Sequence, residues 1–482
     1  MGLLEDRDAT YLTTVRGMCR TCREIVPARV VLRAGKVWQQ SLCPTCRNTE
    51  ALIAEDSEWY LQNAMRAQPD RAPRKGAHPS KHGCPHDCGP CTWHASSCQL
   101  PVLSITNACN LNCPICFTYN RPDRIYHMPV EEMRATVDWI VESSAPVDLI
   151  NITGGEPTLH PQLLDILRCC KRPEIGRITM NSNGLRLAKD PALCEQLAEL
   201  GVYVILSFNT FEPKTSIRLH GRDIVEDKLR AIENLSRAGV RMTLLQVMER
   251  GVEEDVSGRI LELMASNDNI LSHTVQTMTY TGQGGGQWAK REHIPVDEAA
   301  RMVAKQSKGA LQFSDFLPRP ASHPLCYLTC YMVKVDQTFL PFARFAPAER
   351  ISALMQDSYL IRLDLDQEFF KDVVQDLFAK GETGHLKTFR SILEKLYPGK
   401  GPLPTAFERQ RLAESAVRTI YVHAHMDEDN FDCSRAMMCP DLVPCEPGRL
   451  VPACTYNLFY RMKDERFYVL GPDARKADSH ES

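Results

Sequence analysis

The sequence predicts an α/β protein, because strand-like and helix-like segments alternate through residues 101–300. Six apolar, strand-like segments run from PVLSIT to ILSHTVQTM, with amphipathic stretches between them. In VEEMRATVDWIVESS, for example, Met133, Val137 and Ile140 recur at helical spacing. Strands that alternate with helices form a parallel sheet, so an open doubly wound sheet and a partial (β/α) barrel both fit the pattern.

The composition is that of a globular protein whose outstanding feature is cysteine. The 482 residues suggest about two to four domains, and 43% of them are hydrophobic. The formal net charge of −3 argues against a nucleic-acid partner, since such proteins usually carry a basic excess. The sequence contains no run of about 18 apolar residues, so it predicts no membrane span. Its first residues, MGLLEDRDAT, do not resemble a signal peptide. We therefore expect a cytoplasmic protein whose 20 cysteines bind metals rather than form disulfides.

Two CxxC pairs define an N-terminal domain over residues 1–66. Cys19 and Cys22 are separated by 20 residues from Cys43 and Cys46, with β-like sequence between the pairs. Four thiolates at this spacing bind one metal ion tetrahedrally. A zinc ribbon and a rubredoxin-like iron site both remain open.

Three further cysteines lie on one short segment directly after the first barrel strand. Cys109, Cys113 and Cys116 have CxxxCxxC spacing, which can hold three irons of a [4Fe–4S] cluster and leave the fourth open to a ligand. The second strand ends at TGGEP, whose glycines permit close approach to the backbone and whose glutamate can accept bonds from an amino group. Loops at the carboxyl ends of parallel strands converge, so both motifs are expected at one site.

These motifs resemble those of the radical S-adenosylmethionine (SAM) superfamily. CNLNCPICF looks like its signature with the usual aromatic residue after the last cysteine, and TGGEPT, MNSNG and YVILSFN follow in the expected order over about residues 100–290. The resemblance implies a partial (β/α)6 TIM-like barrel over residues 101–300, in which the three cysteines are catalytic. It also implies cleavage of SAM to a 5′-deoxyadenosyl radical, with electrons from an external donor such as ferredoxin or flavodoxin. The residues that would bind SAM are Phe117, Gly154, Gly155, Glu156, Asn181, Ser182, Asn183, Ser207 and Asn209.

A second CxxxCxxC motif lies in the irregular, linker-like segment 67–100. No strand precedes it, no aromatic residue directly follows Cys91, and Cys98 offers a fourth thiolate. Four ligands close a cluster and leave no place for SAM. Cys84, Cys88, Cys91 and Cys98 are therefore predicted to hold an auxiliary [4Fe–4S] cluster, with a zinc site as the alternative.

Segments along nearly the whole chain resemble a narrower group, the archaeal tetraether lipid synthases and their bacterial relatives. These segments are HGCPHDCGPC, HPLCYLTC, HMDEDNFD and RLVPACTYN. The resemblance implies that residues 301–482 form an α+β domain that covers the substrate and holds a second auxiliary cluster. Its ligands would be Cys326, Cys330, Cys439 and Cys454, while Cys433 and Cys445 depart from the group's pattern.

Two other polar features have simpler interpretations. His423 and His425 alternate on a strand-like segment and are expected to pack or hydrogen-bond rather than bind metal. The segment 282–286, GQGGG, is expected to be a flexible turn near the site. Cys169, Cys170 and Cys194 lie in amphipathic helical stretches and are expected to be core residues.

The first functional hypothesis is a radical SAM enzyme that forms carbon–carbon bonds at unactivated carbons and couples lipid alkyl chains. It implies a lipid substrate and peripheral membrane contact without a transmembrane span. The alternative is C-methylation of a small molecule such as a pterin. An apolar channel into the barrel would favour the lipid, and a closed polar pocket would favour the pterin. A hypothesis of another class is a non-catalytic module in which every four-cysteine set binds zinc.

Overall fold

The chain forms a small N-terminal sheet and a larger α/β barrel with a long C-terminal extension. The computed structural model describes residues 9–65, 67, 78–89, 91–119, 124–144, 147–252, 255–335, 337–356, 358–361, 367–381, 383–399, 401–446 and 448–467. The predicted segment 67–100 and the predicted domain 301–482 therefore lie partly outside the described residues.

The N-terminal unit is an antiparallel sheet of four strands in sequence order. The strands are β1 (Thr10–Met18), β2 (Ile25–Arg33), β3 (Lys36–Ser41) and β4 (Thr49–Ala54). A short helix, α1 (Ser57–Trp59), follows and continues as a π turn (Tyr60–Ala64). The two CxxC pairs lie in the β1–β2 and β3–β4 connections, so the sheet brings them to the same end.

Six parallel strands form the centre of the barrel. They are β5 (Leu100–Ser104), β6 (Val147–Thr153), β7 (Ile175–Ser182), β8 (Tyr203–Ser207), β9 (Met242–Met248) and β10 (Ile270–Thr277). The helices between them are α2 (Val130–Ser144), α3 (Leu163–Cys169), α4 (Pro191–Leu200), α5 (Pro213–His220), α6 (Val225–Arg237) and α7 (Val256–Ser266). The strands pair in sequence order without a reversal. A doubly wound sheet reverses at its switch point, so the partial barrel is the alternative that is observed.

The remaining strands extend this sheet at both edges. They are β11 (Leu317–Pro318), β12 (Tyr327–Val335), β13 (Thr338–Pro341), β14 (Val417–His423), β15 (Asp441–Glu446) and β16 (Arg449–Pro452). Strand β14 pairs parallel with β10 and antiparallel with β12, while β15 pairs parallel with β5. The C-terminal region therefore contributes strands to the barrel sheet and does not form a separate sheet among the described residues.

The remaining helices follow β10 in the chain. They are α8 (Gly282–Gly285), α9 (Val296–Gln306), α10 (Ala348–Leu354), α11 (Gln367–Ala379), α12 (Thr383–Leu396), α13 (Ala406–Ala416), α14 (Cys433–Met437) and α15 (Ala453–Thr455), the last continued by a π turn (Tyr456–Tyr460). Within the described parts of the chain, no helix is long and apolar enough to cross a membrane.

Helix α13 closes the amino end of the barrel. Glu414 pairs there with Arg177 at 2.5 Å and accepts a hydrogen bond from the Tyr203 hydroxyl at 2.5 Å. A cavity of about 120 Å³ lies above this pair, lined by residues near the strand starts. Part of the segment 301–482 thus covers the amino end of the barrel. Parallel barrels place their sites at the other end, where the strands have their carboxyl ends.

Candidate active site and metal centres

The three-cysteine loop follows β5 at the carboxyl end of the barrel. Cys109 is exposed, and Cys113 and Cys116 are half-buried. Reduced hydration at the mouth of the barrel raises the pKa of the Cys109 thiol to about 11 and that of Cys113 to about 12, helped by repulsion from Glu156 at Cys109 and from the neighbouring thiolates at both. Bound iron would relieve this repulsion, because a metal ion favours the deprotonated thiol.

The TGGEP segment packs its backbone on the start of this loop. The Gly155 amide donates to the Thr106 carbonyl, and the Glu156 amide donates to the Ala108 carbonyl, both at 2.7 Å. A Cβ atom on Gly154 would lie 2.3 Å from the Thr106 oxygen, and one on Gly155 would lie 2.3 Å from the Ala108 oxygen. Both glycines are therefore required by the contact between the two loops.

The buried Glu156 carboxylate connects the TGGEP segment to the end of β7. It accepts hydrogen bonds from the Thr158 hydroxyl at 2.7 Å, the Ser182 hydroxyl at 2.9 Å and the Asn183 amide at 2.7 Å. Burial raises its pKa, and these hydrogen bonds oppose the shift. Because these partners are groups of the chain itself, a bond from Glu156 to an amino group of SAM stays a prediction.

The other predicted SAM-binding residues lie after β7 and β8. Asn183 donates to the Asn110 side-chain oxygen at 2.7 Å, which joins the loop after β7 to the three-cysteine loop. The Asn181 side-chain oxygen is buried and finds no hydrogen-bond partner in the described part of the chain. Asn209 accepts from the Val247 amide at 2.8 Å, a bond that orders the backbone. Asn181 is therefore the residue of this set with an unsatisfied acceptor.

Lys228 is a residue of this region that the sequence patterns did not single out. It lies on α6, is 3% exposed, and donates to the carbonyl and the hydroxyl of Ser207, at 3.1 Å to the latter. Burial lowers its pKa to about 8, and the nearby Cys113 and Glu156 oppose that shift. The sequence did contain one indication of its role: Lys228 lies in the apolar stripe of α6, where a lysine exposed to solvent is not expected.

The glycine-rich segment 282–286 packs against the three-cysteine loop. The amides of Gly284 and Gly285 donate to the Cys116 carbonyl at 3.0 and 3.1 Å. A Cβ atom on Gly282 would lie 2.1 Å from the Phe117 carbonyl carbon, and one on Gly284 would lie 2.5 Å from the Cys113 oxygen. The segment is thus a short helix that holds the loop, rather than the flexible turn that was expected.

The four N-terminal cysteines converge on one point. Their Sγ atoms all lie within 4.8 Å of one another, and 3.8 Å separates those of Cys22 and Cys43. A tetrahedral metal with metal–sulfur bonds of about 2.3 Å places its sulfurs about 3.8 Å apart. The geometry therefore fits a single metal ion, and both zinc and iron satisfy it.

The second CxxxCxxC motif contacts a cysteine from the C-terminal region. The Cys84 thiol interacts with the thiols of Cys88 and Cys433, and the Cys433 Sγ lies 3.3 Å from the Cys84 carbonyl oxygen. Cys91 lies close enough to Cys88 to feel its charge. The structure thus brings together three of the four predicted ligands and adds Cys433.

Cys98, the fourth predicted ligand of this set, lies on the other face of the β15–β16 hairpin. It packs with Leu442 and Leu450, whereas Cys88 packs with Val443 and Val451. Successive residues of a strand point to opposite faces. The hairpin therefore separates Cys98 from Cys88.

Three of the four predicted ligands of the second auxiliary cluster line one cavity. Cys326, Cys439 and Cys454 line a small cavity of about 20 Å³. Cys330 lies elsewhere: it is fully buried in the main core and pairs with Ile420 on β14. It is three residues along β12 from Tyr327, which lines the cavity, and it points to the opposite face.

One further group of candidate metal ligands already forms ion pairs with other side chains of the protein. Among the described residues, only the N-terminal cysteines and a set of His293, Asp427 and Asp429 have three or more ligand atoms within 4.8 Å of one another. His293 pairs with Asp427 at 2.9 Å, and Asp429 pairs with Arg20 at 2.5 Å and Arg291 at 3.2 Å. The other cysteine sets are more widely spaced, which suits a cubane because each thiol then binds a different iron.

Comparison with known proteins identifies the family to which the barrel is similar. Residues 103–264 match the Radical SAM superfamily. The chain is 25% identical over 482 residues to the 7,8-dihydro-6-hydroxymethylpterin dimethyltransferase of Methanocaldococcus jannaschii, a match that covers 94% of this chain and 95% of that protein. It is 27% identical over 213 residues to a probable GTP 3′,8-cyclase of Thermoplasma volcanium, a match that covers 43% of this chain and 64% of the cyclase.

A solved structure shows a more distant similarity. Streptococcus suis SuiB bound to S-adenosylmethionine superposes with a TM-score of 0.38 at 19% identity, over 44% of this chain and 48% of SuiB.

Proposed function

Because residues 103–264 belong to the radical SAM superfamily, we propose that this protein is a radical SAM enzyme that C-methylates a polar heterocycle of the pterin class. The similarity to the archaeal pterin dimethyltransferase extends over 94% of the chain. It therefore includes the cysteine-rich segments on both sides of the barrel, and it supports methyl transfer over the coupling of lipid chains.

The polarity of the barrel interior carries the choice of substrate class. Paired residues of neighbouring parallel strands face the same side. Inside the barrel, Thr179 donates to the Asn151 side-chain oxygen at 3.1 Å, and the hydroxyls of Thr243 and Ser272 lie 2.7 Å apart. Towards the carboxyl ends the same face carries the polar Asn181, Ser207, Gln276 and His423 beside the apolar Leu245 and Val247. The first four residues satisfy one another, but a hydrocarbon chain would offer no hydrogen bond to the polar groups near the carboxyl ends, whereas a pterin offers ring nitrogens and a carbonyl to them.

The loops at the carboxyl end supply the groups that SAM cleavage requires. Cys109, Cys113 and Cys116 would hold the cluster, which when bound provides the electron that cleaves SAM to methionine and a 5′-deoxyadenosyl radical. The Lys228 ammonium group is close enough to Cys113 to feel its charge, and it can pair with the SAM carboxylate. The unsatisfied oxygen of Asn181 can accept a hydrogen bond from the nucleoside.

The stoichiometry of methylation requires an external reductant. A substrate C–H bond is replaced by C–CH₃, and the removed hydrogen leaves on 5′-deoxyadenosine. When the methyl group comes from a second SAM, that molecule leaves as S-adenosylhomocysteine. Each of the two SAM molecules consumes one electron, so an external donor of the ferredoxin or flavodoxin type must supply two.

The test uses the full chain, reconstituted anaerobically with iron and sulfide. Dithionite, methyl-labelled SAM and 7,8-dihydro-6-hydroxymethylpterin should yield 5′-deoxyadenosine and a labelled, methylated pterin. Cys113→Ala should abolish both products. Cys169→Ala, a half-buried position at the end of α3, is the matched control and should keep both.

Two results would overturn the proposal at different levels. Absence of 5′-deoxyadenosine from the wild type would refute a radical SAM enzyme. Formation of 5′-deoxyadenosine with coupling of isolated lipid chains, but with no pterin product, would refute the pterin and support the lipid hypothesis.

A further inference from the structure

We propose that the metal site of the N-terminal sheet is a latch that holds the three-cysteine loop in its working geometry. The turn at residues 19–23, which a bound metal would fix, presents Arg20 and Arg23 to the acidic segment 427–429 of the C-terminal region. The inference rests on the proposed function only in treating the three-cysteine loop as the place where SAM is cleaved. It assigns a role to the acidic residues of HMDEDNFD, which the proposed reaction does not use.

The turn carries its two arginines between and directly after the first pair of ligands. Arg20 lies between Cys19 and Cys22, and Arg23 follows them. The Arg23 amide donates to the Cys19 carbonyl at 2.9 Å, and the φ of Arg23 is 62°. This left-handed backbone suits glycine and is unfavourable for a residue with a Cβ atom. Arginine at such a position therefore indicates a role for its side chain.

The Arg23 guanidinium joins three separate segments of the chain. It donates to the Tyr119 hydroxyl at 3.5 Å and to the Leu458 carbonyl at 3.0 Å, and it lies 3.4 Å from a carboxylate oxygen of Glu428. Tyr119 is three residues beyond Cys116, the last ligand of the three-cysteine loop. One side chain of the N-terminal sheet thus contacts the chain directly after that loop.

A second connection runs through the acidic segment. The Glu428 oxygen that faces Arg23 also accepts a hydrogen bond from the Thr281 hydroxyl at 2.9 Å. Thr281 directly precedes α8, and the 284–285 amides of that helix donate to the Cys116 carbonyl. Arg23 is therefore linked both to the chain after Cys116 and to the helix that holds the Cys116 backbone.

The acidic segment depends on the positive charges of the turn. Its three carboxylate side chains belong to residues that are at most 6% exposed. Besides a histidine, the described part of the barrel supplies one arginine to them, Arg291, which lies 3.2 Å from Asp429 and 3.6 Å from Glu428. The turn supplies two more, because Arg20 pairs with Asp429 and Arg23 with Glu428. Removal of the partners of buried carboxylates is costly, so a displaced turn would destabilise the segment that supports α8.

The test is hydrogen–deuterium exchange of the full chain, reconstituted with its clusters and followed at the amides of residues 283–285. These amides donate to the carbonyls of Cys116 and Thr118, so their exchange reports how firmly α8 holds the loop. A latch uses the shape that the metal imposes on the turn. Zinc and iron bind four thiolates with the same tetrahedral geometry, so protein with either metal at this site should show equal protection.

The variants separate the latch from the metal site itself. Arg23→Gly suits the backbone of the turn and removes the guanidinium. It should keep the N-terminal metal, but the 283–285 amides should exchange at least about tenfold faster, because hydrogen bonds from a charged group are lost. Formation of 5′-deoxyadenosine should fall in parallel, and Arg23→Lys, which keeps the charge, should be intermediate. The matched control is Arg33→Ala, whose partner Glu50 lies in the same sheet; it should match the wild type.

Loss of the metal should have the same effect as loss of the guanidinium. Cys46→Ser removes a ligand from the other side of the site and should exchange like Arg23→Gly. Wild-type protection in either variant would overturn the latch, as would equal loss in Arg33→Ala, unchanged 5′-deoxyadenosine formation in Arg23→Gly, or protection that differs between zinc and iron. A wild type that forms no 5′-deoxyadenosine would instead refute the proposed function, and the exchange data would still decide the latch.

Discussion

Replacement of Lys228 by methionine should weaken SAM binding and at the same time remove a pH-dependent cost to stability. The ammonium group is buried, and its described partners are the carbonyl and hydroxyl oxygens of Ser207. Methionine keeps the length and the apolar stem of the side chain. It removes the charge that would pair with the SAM carboxylate.

The expected size of the stability effect follows from the pKa. Burial lowers the pKa of Lys228 from 10.5 to about 8. At about 1.4 kcal/mol for each tenfold change in proton affinity, the charged form costs the folded apoprotein about 3 kcal/mol at pH 7. The unfolded chain binds the proton more tightly, so the wild type gains this stability as pH rises from about 8 to 10.5.

The assay compares urea unfolding of the two apoproteins between pH 7 and pH 10.5. Relative to Lys228→Met, the wild type should gain about 3 kcal/mol over that range, because the cysteines titrate in both proteins and cancel. Lys214→Met, an exposed position on α5, is the control and should track the wild type. Parallel pH profiles for wild type and Lys228→Met would refute the reasoning, as would unchanged SAM affinity in the reconstituted variant.

Three other predictions concern separate parts of the structure. Gly284→Ala places a Cβ atom 2.5 Å from carbonyl oxygens of the three-cysteine loop, so 5′-deoxyadenosine formation should fall at least about tenfold. In the control Gly384→Ala the added Cβ atom meets no atom within 4 Å, and product formation should not fall. Cys433→Ser should remove about four irons per chain, and Cys98→Ser should keep them; the reverse result would restore Cys98 as the ligand. Glu414→Gln removes the opposite charge from the 14%-exposed Arg177 and should lower the free energy of unfolding by about 3 kcal/mol. The iron content should not change, and a loss of iron would contradict the separation of the two barrel ends.

The barrel strands could be predicted because each carries its own signal. The six segments between Leu100 and Thr277 are short, apolar and separated by amphipathic helices, and all six are observed as parallel neighbours. The strands that flank these six, β14 and β15, could not be placed in the same way. Their partners, β10 and β5, lie far away in the sequence, and local periodicity contains no information about such pairing.

The ligand sets show the same limit at the level of single side chains. Spacing predicts Cys109, Cys113 and Cys116 as one set because one loop carries all three. It could not show that Cys330 points to the other face of β12 from Tyr327, or that the β15–β16 hairpin separates Cys98 from Cys88, since both depend on tertiary packing. The structure instead brings Cys433, which the sequence pattern had left out of its ligand sets, against Cys84.

The contact between Cys84 and Cys433 has a consequence for how the protein is made. The four N-terminal cysteines are complete once the ribosome has passed residue 46, so that metal site can form on the nascent chain. Cys84 and Cys433 stand 349 positions apart and meet only after the barrel between them has been synthesised. Any cluster that needs both thiols must therefore be inserted after translation of nearly the whole chain.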